Sequence, residues 1–255
     1  MYIRSLIKKL KMFHFIKQST YLKDLIPSNY VDIHSHLLPG IDDGASRIED
    51  TLFLTKGLQE LGFEQCVTTP HIIKNVWENT PEIIESAYQS TQTVLKNDRE
   101  LSLRYAAEYM IDLHFIKLFE NNSLLTLKEN YVLVEISYIN PPIQLYNIIF
   151  DLQIAGYRPV LAHPERYVYY HHNFNEYEKL KNAGCLFQLN LLSTVGYYGN
   201  EVAKASEALL RKGMIDYVGS DVHHTKHLEA FSNKVLMKDV SQLKKVIENN
   251  QFFRW

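Results

Sequence analysis

A one-domain α/β barrel of parallel strands is the fold this sequence predicts, and three observations predict it. Short apolar, β-rich runs alternate with helical patterns from residue 29 onward, without long linkers, low-complexity tracts or internal repeats. Six of those runs end in His, Asp or Glu, so polar chemistry collects at one end of the strands. The chain has 255 residues, 46% of them apolar, which is enough for one sizeable core. An open doubly wound sheet is the alternative, but it gathers its ligands at one crevice and not from six strands.

Strands are predicted at 30–35, 65–69, 102–108, 131–136, 158–163, 185–189 and 215–220, and helices at 47–61, 81–97, 112–120, 142–156, 175–183, 200–212 and 239–250. Thr80 reads as an N-cap, with Pro81 at the first helical position and Glu82 in the first turn. Gly62, Gly156 and Gly184 stand where helices should stop. Residues 29–255 form the barrel domain and residues 1–28 an N-terminal extension. Within residues 1–24, Arg4, Lys8, Lys9, Lys11, Lys17 and Lys23 face the single acid Asp24, while Ile3, Leu6, Ile7, Leu10, Phe13 and Ile16 recur at helical spacing. Lysines interrupt every apolar run and no small-residue cleavage site follows, which excludes a signal peptide. Two readings stay open: a helix or frayed tail against the barrel, the default, or docking to an anionic membrane surface or a partner.

A net charge of −2 and the lack of a basic, aromatic-interleaved stripe argue against nucleic acid as the partner. No run reaches the length of a transmembrane helix. Cys66 and Cys185 lie far apart inside apolar runs, which suits buried thiols in a reducing compartment, the cytoplasm, at the inner face of the membrane if residues 1–24 dock there.

Asp32-Ile33-His34-Ser35-His36 follows an apolar run, and residues i and i+2 of a strand share a face, so His34 and His36 can grip one metal ion. Asp32 is read as pointing away from the two imidazoles, a supporting residue at best. His71, Glu108, Glu135, His163, and Asp221 with His223 close the other five runs. A thiolate nucleophile cradled by a Cys-x5-Arg loop is excluded, because Arg would have to stand six positions after Cys and the chain has Ile72 and Leu191 there.

These segments, together with Asp42-Asp43-Gly44, Thr69-Pro70-His71, Ala162-His163-Pro164-Glu165-Arg166-Tyr167 and Ser220-Asp221-Val222-His223, resemble the polymerase and histidinol phosphatase (PHP) superfamily. Within it the chain is most similar to the bacterial manganese-dependent protein-tyrosine phosphatases of capsule and exopolysaccharide clusters, over about residues 30–250. The resemblance implies a distorted TIM-like (β/α)7 barrel of the PHP type. It also implies three divalent ions, Mn by preference with Fe or Zn as alternatives. His34, His36, Glu108 and Asp221 would hold the first; Glu108, bridging, with Glu135 and His163 the second; Asp43, His71 and His223 the third. Asp43 is chosen over Asp42 on the motif alone, and Asp42 is free to orient a ligand or serve the turn at Gly44.

Four carboxylates against three divalent ions leave about two positive charges, a sink for a phosphate dianion, and the ions lower the pKa of water for attack on phosphorus. Arg166 is read as a phosphoryl ligand in the transition state, against the alternative of a surface pair with Glu165. Asp221 and His223 are assigned to catalysis with Arg166, and Lys226 and His224 to substrate binding. His224 or His227 could assist the leaving group. His14, His114, His171 and His172 lie outside the motifs. Tyr109, Tyr138, Tyr167, Tyr169, Tyr170, Tyr197 and Tyr198 lie in or near the βα loops and could line a cleft for a phosphotyrosine ring. The implied substrate is a phosphotyrosine protein, a bacterial capsule-assembly tyrosine kinase, and a homo-oligomer is compatible with the family. Three other readings compete: a small-molecule phosphomonoesterase of the histidinol-phosphate kind, a non-catalytic PHP-like binding module, and a carbon–nitrogen hydrolase of the amidohydrolase type.

Overall fold

In the computed structural model, residues 19–95, 101–121 and 124–255 are described. Residues 1–18, which carry most of the basic N-terminal pattern, lie outside them. Just after that pattern, a short 3-10 turn at Leu22–Leu25 buries Leu22 and Leu25 in the core, and Tyr21 bridges to Lys234.

Nine strands are present among the described residues: β1 (Tyr30–Asp32), β2 (Phe63–Thr68), β3 (His71–Ile72), β4 (Ser102–Tyr105), β5 (Glu108–Met110), β6 (Tyr131–Glu135), β7 (Arg158–Ala162), β8 (Leu186–Asn190) and β9 (Tyr217–Gly219). Every pairing between them is parallel, in the orders β1-β2-β4 and β3-β5-β6-β7-β8-β9. The strand expected at 102–108 is broken at Ala106-Ala107, opposite a break at Thr69-Pro70. Proline has no N–H for the ladder, so the two neighbours bend together. Backbone bonds carry the pairing across the bend, Ala106 N–H to the Thr68 carbonyl (2.9 Å) and Glu108 N–H to the Pro70 carbonyl (3.1 Å). β2 with β3 and β4 with β5 are therefore two continuous staves, and the nine strands make the seven that the sequence predicts.

The seam between the first and last staves is stitched mostly by other means than a ladder. At the upper end Asp221 N–H donates to the His34 carbonyl (2.8 Å) and His36 N–H to the Val222 carbonyl (2.9 Å). Lower down the buried Asp32 carboxylate accepts from Ser220 N–H (2.9 Å) and from the Ser220 hydroxyl (2.5 Å). At the base, Asn250 donates to the Val31 and Val218 carbonyls (2.9 and 2.8 Å) and accepts from Val218 N–H (3.1 Å). Fully buried, Asn250 has all its partners inside the protein.

The helices are α1 (Ile48–Glu60), α2 (Pro81–Leu95), α3 (Leu113–Asn121), α4 (Leu145–Ile154), α5 (Asn175–Asn182), α6 (Asn200–Arg211), α7 (Thr225–Ala230) and α8 (Ser241–Asn249). Thr80 caps α2, its hydroxyl accepting from Ile83 N–H at 3.4 Å. Asp112 caps α3 by accepting from His114 and Phe115 N–H, both at 2.8 Å. Pro141-Pro142 hold the start of α4 back to Leu145. The one-and-a-half-turn α7 is absent from the expected helices because it is too short to show a period. Gly62, Gly156 and Gly184 do end helices, each with positive φ.

Side chains pack in two layers, as the barrel requires. Val31, Ile33, Val67, Ala106, Leu133, Val160 and Ala162 form a small interior cluster closed by Phe253. The larger core lies between the staves and the helices and includes Tyr109, Val134, Leu161, Phe187 and Val218. Small and branched residues inside, with Phe253 as a plug, leave the opposite end of the barrel for polar groups.

Candidate metal centre

At that end the strand termini and the loops after them gather nine ligand-type side chains. Their donor atoms fall into four overlapping groups: His36, Asp43, His71 and His223; His34, His36 and Asp221; His34, Glu108 and His163; His71, Glu108 and Glu135. The sets expected around His34 and around Asp43 are each brought together in large part. Glu135 and His163 meet only through Glu108, one beside His71 and the other beside His34.

Glu108 is the hub and has no solvent exposure. Its oxygens lie 3.2 Å from His34 Nε2, 3.1 Å from His71 Nδ1 and 3.0 Å from His163 Nε2. Asp221 Oδ1 lies 3.2 and 3.4 Å from the Nε2 atoms of His34 and His36, which are themselves 3.2 Å apart. Donor atoms bound to one ion at ~2.1 Å and at right angles lie about 3 Å from each other, so these spacings match edges of a coordination shell. His71 Nδ1 and Glu135 Oε1 are buried and form no hydrogen bond, although they stand 2.9 Å apart. Buried and uncommitted to any hydrogen bond, both atoms are placed to share a cation.

Electrostatics point the same way. Burial opposes a charge on His34, yet Glu108 and Asp221 outweigh it and push the imidazole up to about 10. Burial likewise works against ionised Glu108 and Asp221, but the surrounding imidazoles hold both well below the usual carboxylate range. The carboxylates thus stay charged and demand positive charge at the centre, which protons on imidazole or a divalent cation can supply. Nitrogen and oxygen donors without thiolate suit Mn²⁺, Fe²⁺ or Zn²⁺. Burial and Arg166 instead lower His163, leaving it neutral and able to donate a lone pair.

Buried partners fix the ligand orientations. His36 Nδ1–H donates to Asp42 Oδ2 (2.8 Å), and Asp42 Oδ1 accepts from Gly44 N–H (2.9 Å), so Asp42 both orients an imidazole and shapes the turn. Asp43, more exposed, faces the Nε2 atoms of His71 and His223 at 3.5 Å. A Cβ at Gly44 would lie 2.2 Å from the His36 carbonyl oxygen, so only glycine lets this loop fold onto the site. His34 Nδ1–H donates to Gln188 Oε1 (2.7 Å), and Asn190 Nδ2–H donates to Asp221 Oδ2 (2.7 Å) and the Tyr198 hydroxyl (3.1 Å). Gln188 and Asn190 were missed in the sequence. Their signal was there: two amides alternate in an apolar strand, on the one stave with no ligand assigned.

One expectation, for Asp32, and one alternative, for Arg166, need correction. Residues 32, 34 and 36 have the same parity, so alternation does not turn Asp32 away from the imidazoles; it stays out because the seam uses it to hold Ser220. Arg166 makes no surface pair with Glu165. Glu165 is fully buried, accepting from Ser193 Oγ (2.6 Å) and Asn190 N–H (3.0 Å). Arg166 Nη1 instead donates to Asp221 Oδ2 at 2.9 Å, and its guanidinium lies between the rings of Tyr138 (4.8 Å) and Tyr198 (4.2 Å).

Two of the four left-handed residues other than glycine among the described residues belong to the centre, the others being Asn75 and Glu129. Outside glycine, His163 and Asp221 take left-handed φ values of 36° and 50°. Val160 and Ala162 face the interior, so alternation would send His163 outward beside Leu161; the left-handed turn brings it back to Glu108.

A cleft of about 380 Å³ opens over the centre, walled by Trp77, Tyr138, Arg166, Tyr198 and His224 besides the ligand-type residues. His227 also lines it but is held neutral, its pKa lowered to about 3 by burial and the neighbouring His224 and His223. Lys226 lies exposed on α7 and is not part of the cleft wall. Of the other tyrosines, Tyr167 is buried with its hydroxyl donating to the Ala162 carbonyl, and Tyr109 lies across the sheet from the centre. Both thiols are buried and pushed up by desolvation, Cys185 to about 12.

Residues 30–245 match the family described as capsular polysaccharide synthesis, CpsB/CapC. The chain is 30% identical over 198 residues to the tyrosine-protein phosphatase YwqE of Bacillus subtilis, covering 77% of this chain and 78% of that one. It is 27% identical over 201 residues to the tyrosine-protein phosphatase CpsB of Streptococcus pneumoniae, covering 76% and 83%. Among solved structures it superposes with a TM-score of 0.77, at 27% identity and covering 88% of this chain and 93% of that one, on a crystal structure from work on YwqE and CpsB as metal-dependent tyrosine phosphatases. Sequence and fold therefore agree, and the chain belongs to the CpsB/CapC capsular polysaccharide synthesis family.

Proposed function

We propose that this protein is a metal-dependent tyrosine-protein phosphatase that hydrolyses phosphotyrosine on a protein, a tyrosine kinase of capsule assembly. The convergence of nine ligand-type side chains below a cleft that presents Arg166 carries this reading. Three divalent ions, manganese by preference, would be held by His34, His36, Glu108 and Asp221; by Glu108, Glu135 and His163; and by Asp43, His71 and His223. When bound, such ions supply positive charge to the phosphoryl oxygens and lower the pKa of water.

The remaining work falls to side chains. Arg166 binds phosphoryl oxygens as a fork, and its two aromatic neighbours with Asp221 hold it in place without reorganisation. Tyr138 and Tyr198 offer ring faces to the phenyl group and exclude water. Phenolate leaves with a pKa near 10, so neutral His227 need not protonate it. Asp221 holds Arg166 toward the cleft, and His223 keeps its Nδ1 on the Asp221 carbonyl (2.8 Å), which directs Nε2 at Asp43. Gln188→Ala frees the His34 ring, and divalent-metal affinity in a titration should fall about 10- to 100-fold while the fold survives. Unchanged affinity would remove Gln188 from the centre.

The direct test is phosphate release from phosphotyrosyl peptide, phosphoseryl peptide and histidinol phosphate with Mn²⁺, before and after chelator and after iodoacetamide. Release from phosphotyrosine that is lost to chelator and indifferent to iodoacetamide is expected, since both thiols are buried and protonated. Turnover of histidinol phosphate alone would replace the protein substrate by a small ester.

A further inference from the structure

A second pocket, of about 560 Å³, lies on the other side of the barrel wall from the metal centre. In the β3–β5 pairing His71 stands opposite Glu108 and Ile72 opposite Tyr109, so the first pair faces the centre and the second faces outward. Ile72 and Tyr109 floor the outer pocket, and Leu118 and His114 of α3 wall it. A hairpin separates it from the cleft: Ile73 and Trp77 exchange backbone bonds of 2.9 Å, with Asn75 left-handed at the tip. Ile73 lines both cavities, Trp77 the cleft alone, and Lys74 and Glu78 the outer pocket alone.

Several polar groups around the outer pocket already have partners within the protein, while the His114 imidazole lines it. Lys74 and Glu78 pair with each other at 2.6 Å, and the Asn79 amide donates to the Ile41 and His71 carbonyls at 2.8 Å each. The buried Tyr109 hydroxyl accepts from Leu125 N–H at 2.8 Å. Ile72, Tyr109, Leu118 and Leu124 give an apolar guest a surface to cover, and the Lys74–Glu78 pair stands half exposed to water at its edge. The volume is that of a pocket for a small molecule or bulky side chain.

We propose that this pocket is a specificity subsite that receives a bulky apolar side chain of the phosphopeptide. The proposal rests on the phosphotyrosine reading above. Ile73 lines both cavities, and this continuity makes the occupant a part of the same chain that enters the cleft.

The test compares kcat/KM of the Mn²⁺-loaded protein on free phosphotyrosine and on phosphotyrosyl peptides carrying Leu, Phe, Ser or Asp at each of the flanking positions. A preference of about 10-fold for Leu or Phe over Ser at one position is expected. His114→Trp fills the pocket and Leu118→Ala removes part of its wall, so either should erase most of that preference and leave free phosphotyrosine turnover as in the wild type. If circular dichroism shows that one variant does not fold, the other and the wild-type scan still decide. Equal kcat/KM across the peptides, or a preference that survives both variants, overturns the subsite while the phosphatase reading stands. Turnover of histidinol phosphate without turnover of any phosphotyrosyl substrate overturns both.

Discussion

Glu108→Gln should lower kcat/KM on phosphotyrosyl peptide by about 10³-fold and reduce the bound metal. Three imidazole nitrogens lie 3.0–3.2 Å from its two oxygens, and no solvent reaches it. The amide has nearly the same shape but no charge, and its NH2 presents hydrogens where one oxygen's lone pairs now point. Because Glu108 belongs to two of the four ligand groups, the loss is not confined to one ion. Metal analysis of the purified variant beside its kinetics checks this. A variant with the wild-type metal content and rate would show that the hub organises the apo protein only.

Arg166→Ala should cut kcat by about 10²- to 10³-fold with metal content unchanged. Arg166→Lys keeps the charge and should recover less than about a tenth of the loss, because an ammonium has neither the flat face that sits between Tyr138 and Tyr198 nor the fork that meets Asp221 and phosphate together. A drop in melting temperature without a change in kcat would assign the guanidinium to packing. Since Arg166 touches Asp221, metal analysis of both variants separates a transition-state effect from a disturbed ligand.

The seven staves were legible because parallel strands buried on both faces read as apolar runs, and the polar residues closing six of those runs as ligands because every βα loop starts at the same end. What escaped the sequence depends on three-dimensional bends. His163 was chosen from its place after Ala162, yet periodicity alone would have turned it outward, and only the left-handed backbone delivers it. Ala106-Ala107 looked like uninterrupted strand because the bend is forced by Pro70 on the neighbouring stave. Gln188 and Asn190 read as ordinary polar residues, since an amide that orients a ligand looks the same in one dimension as an amide at the surface. Asp42 was distinguishable from Asp43 only once His36 was seen to donate to one and Gly44 to brace it.

The stitched seam between β1 and β9 sets an order of events during synthesis. His34 and His36 leave the ribosome well before Asp221 and His223 and the amides that lock the last stave to the first, which follow about two hundred residues behind them. A nascent chain ending after β8 carries most of its imidazoles and Glu108 without the partners that close the ring around an ion. Contacts so distant in sequence form late in folding. Chains truncated before Asp221 should therefore hold at most loosely bound metal, and tight loading becomes a signal that translation has run through the last stave.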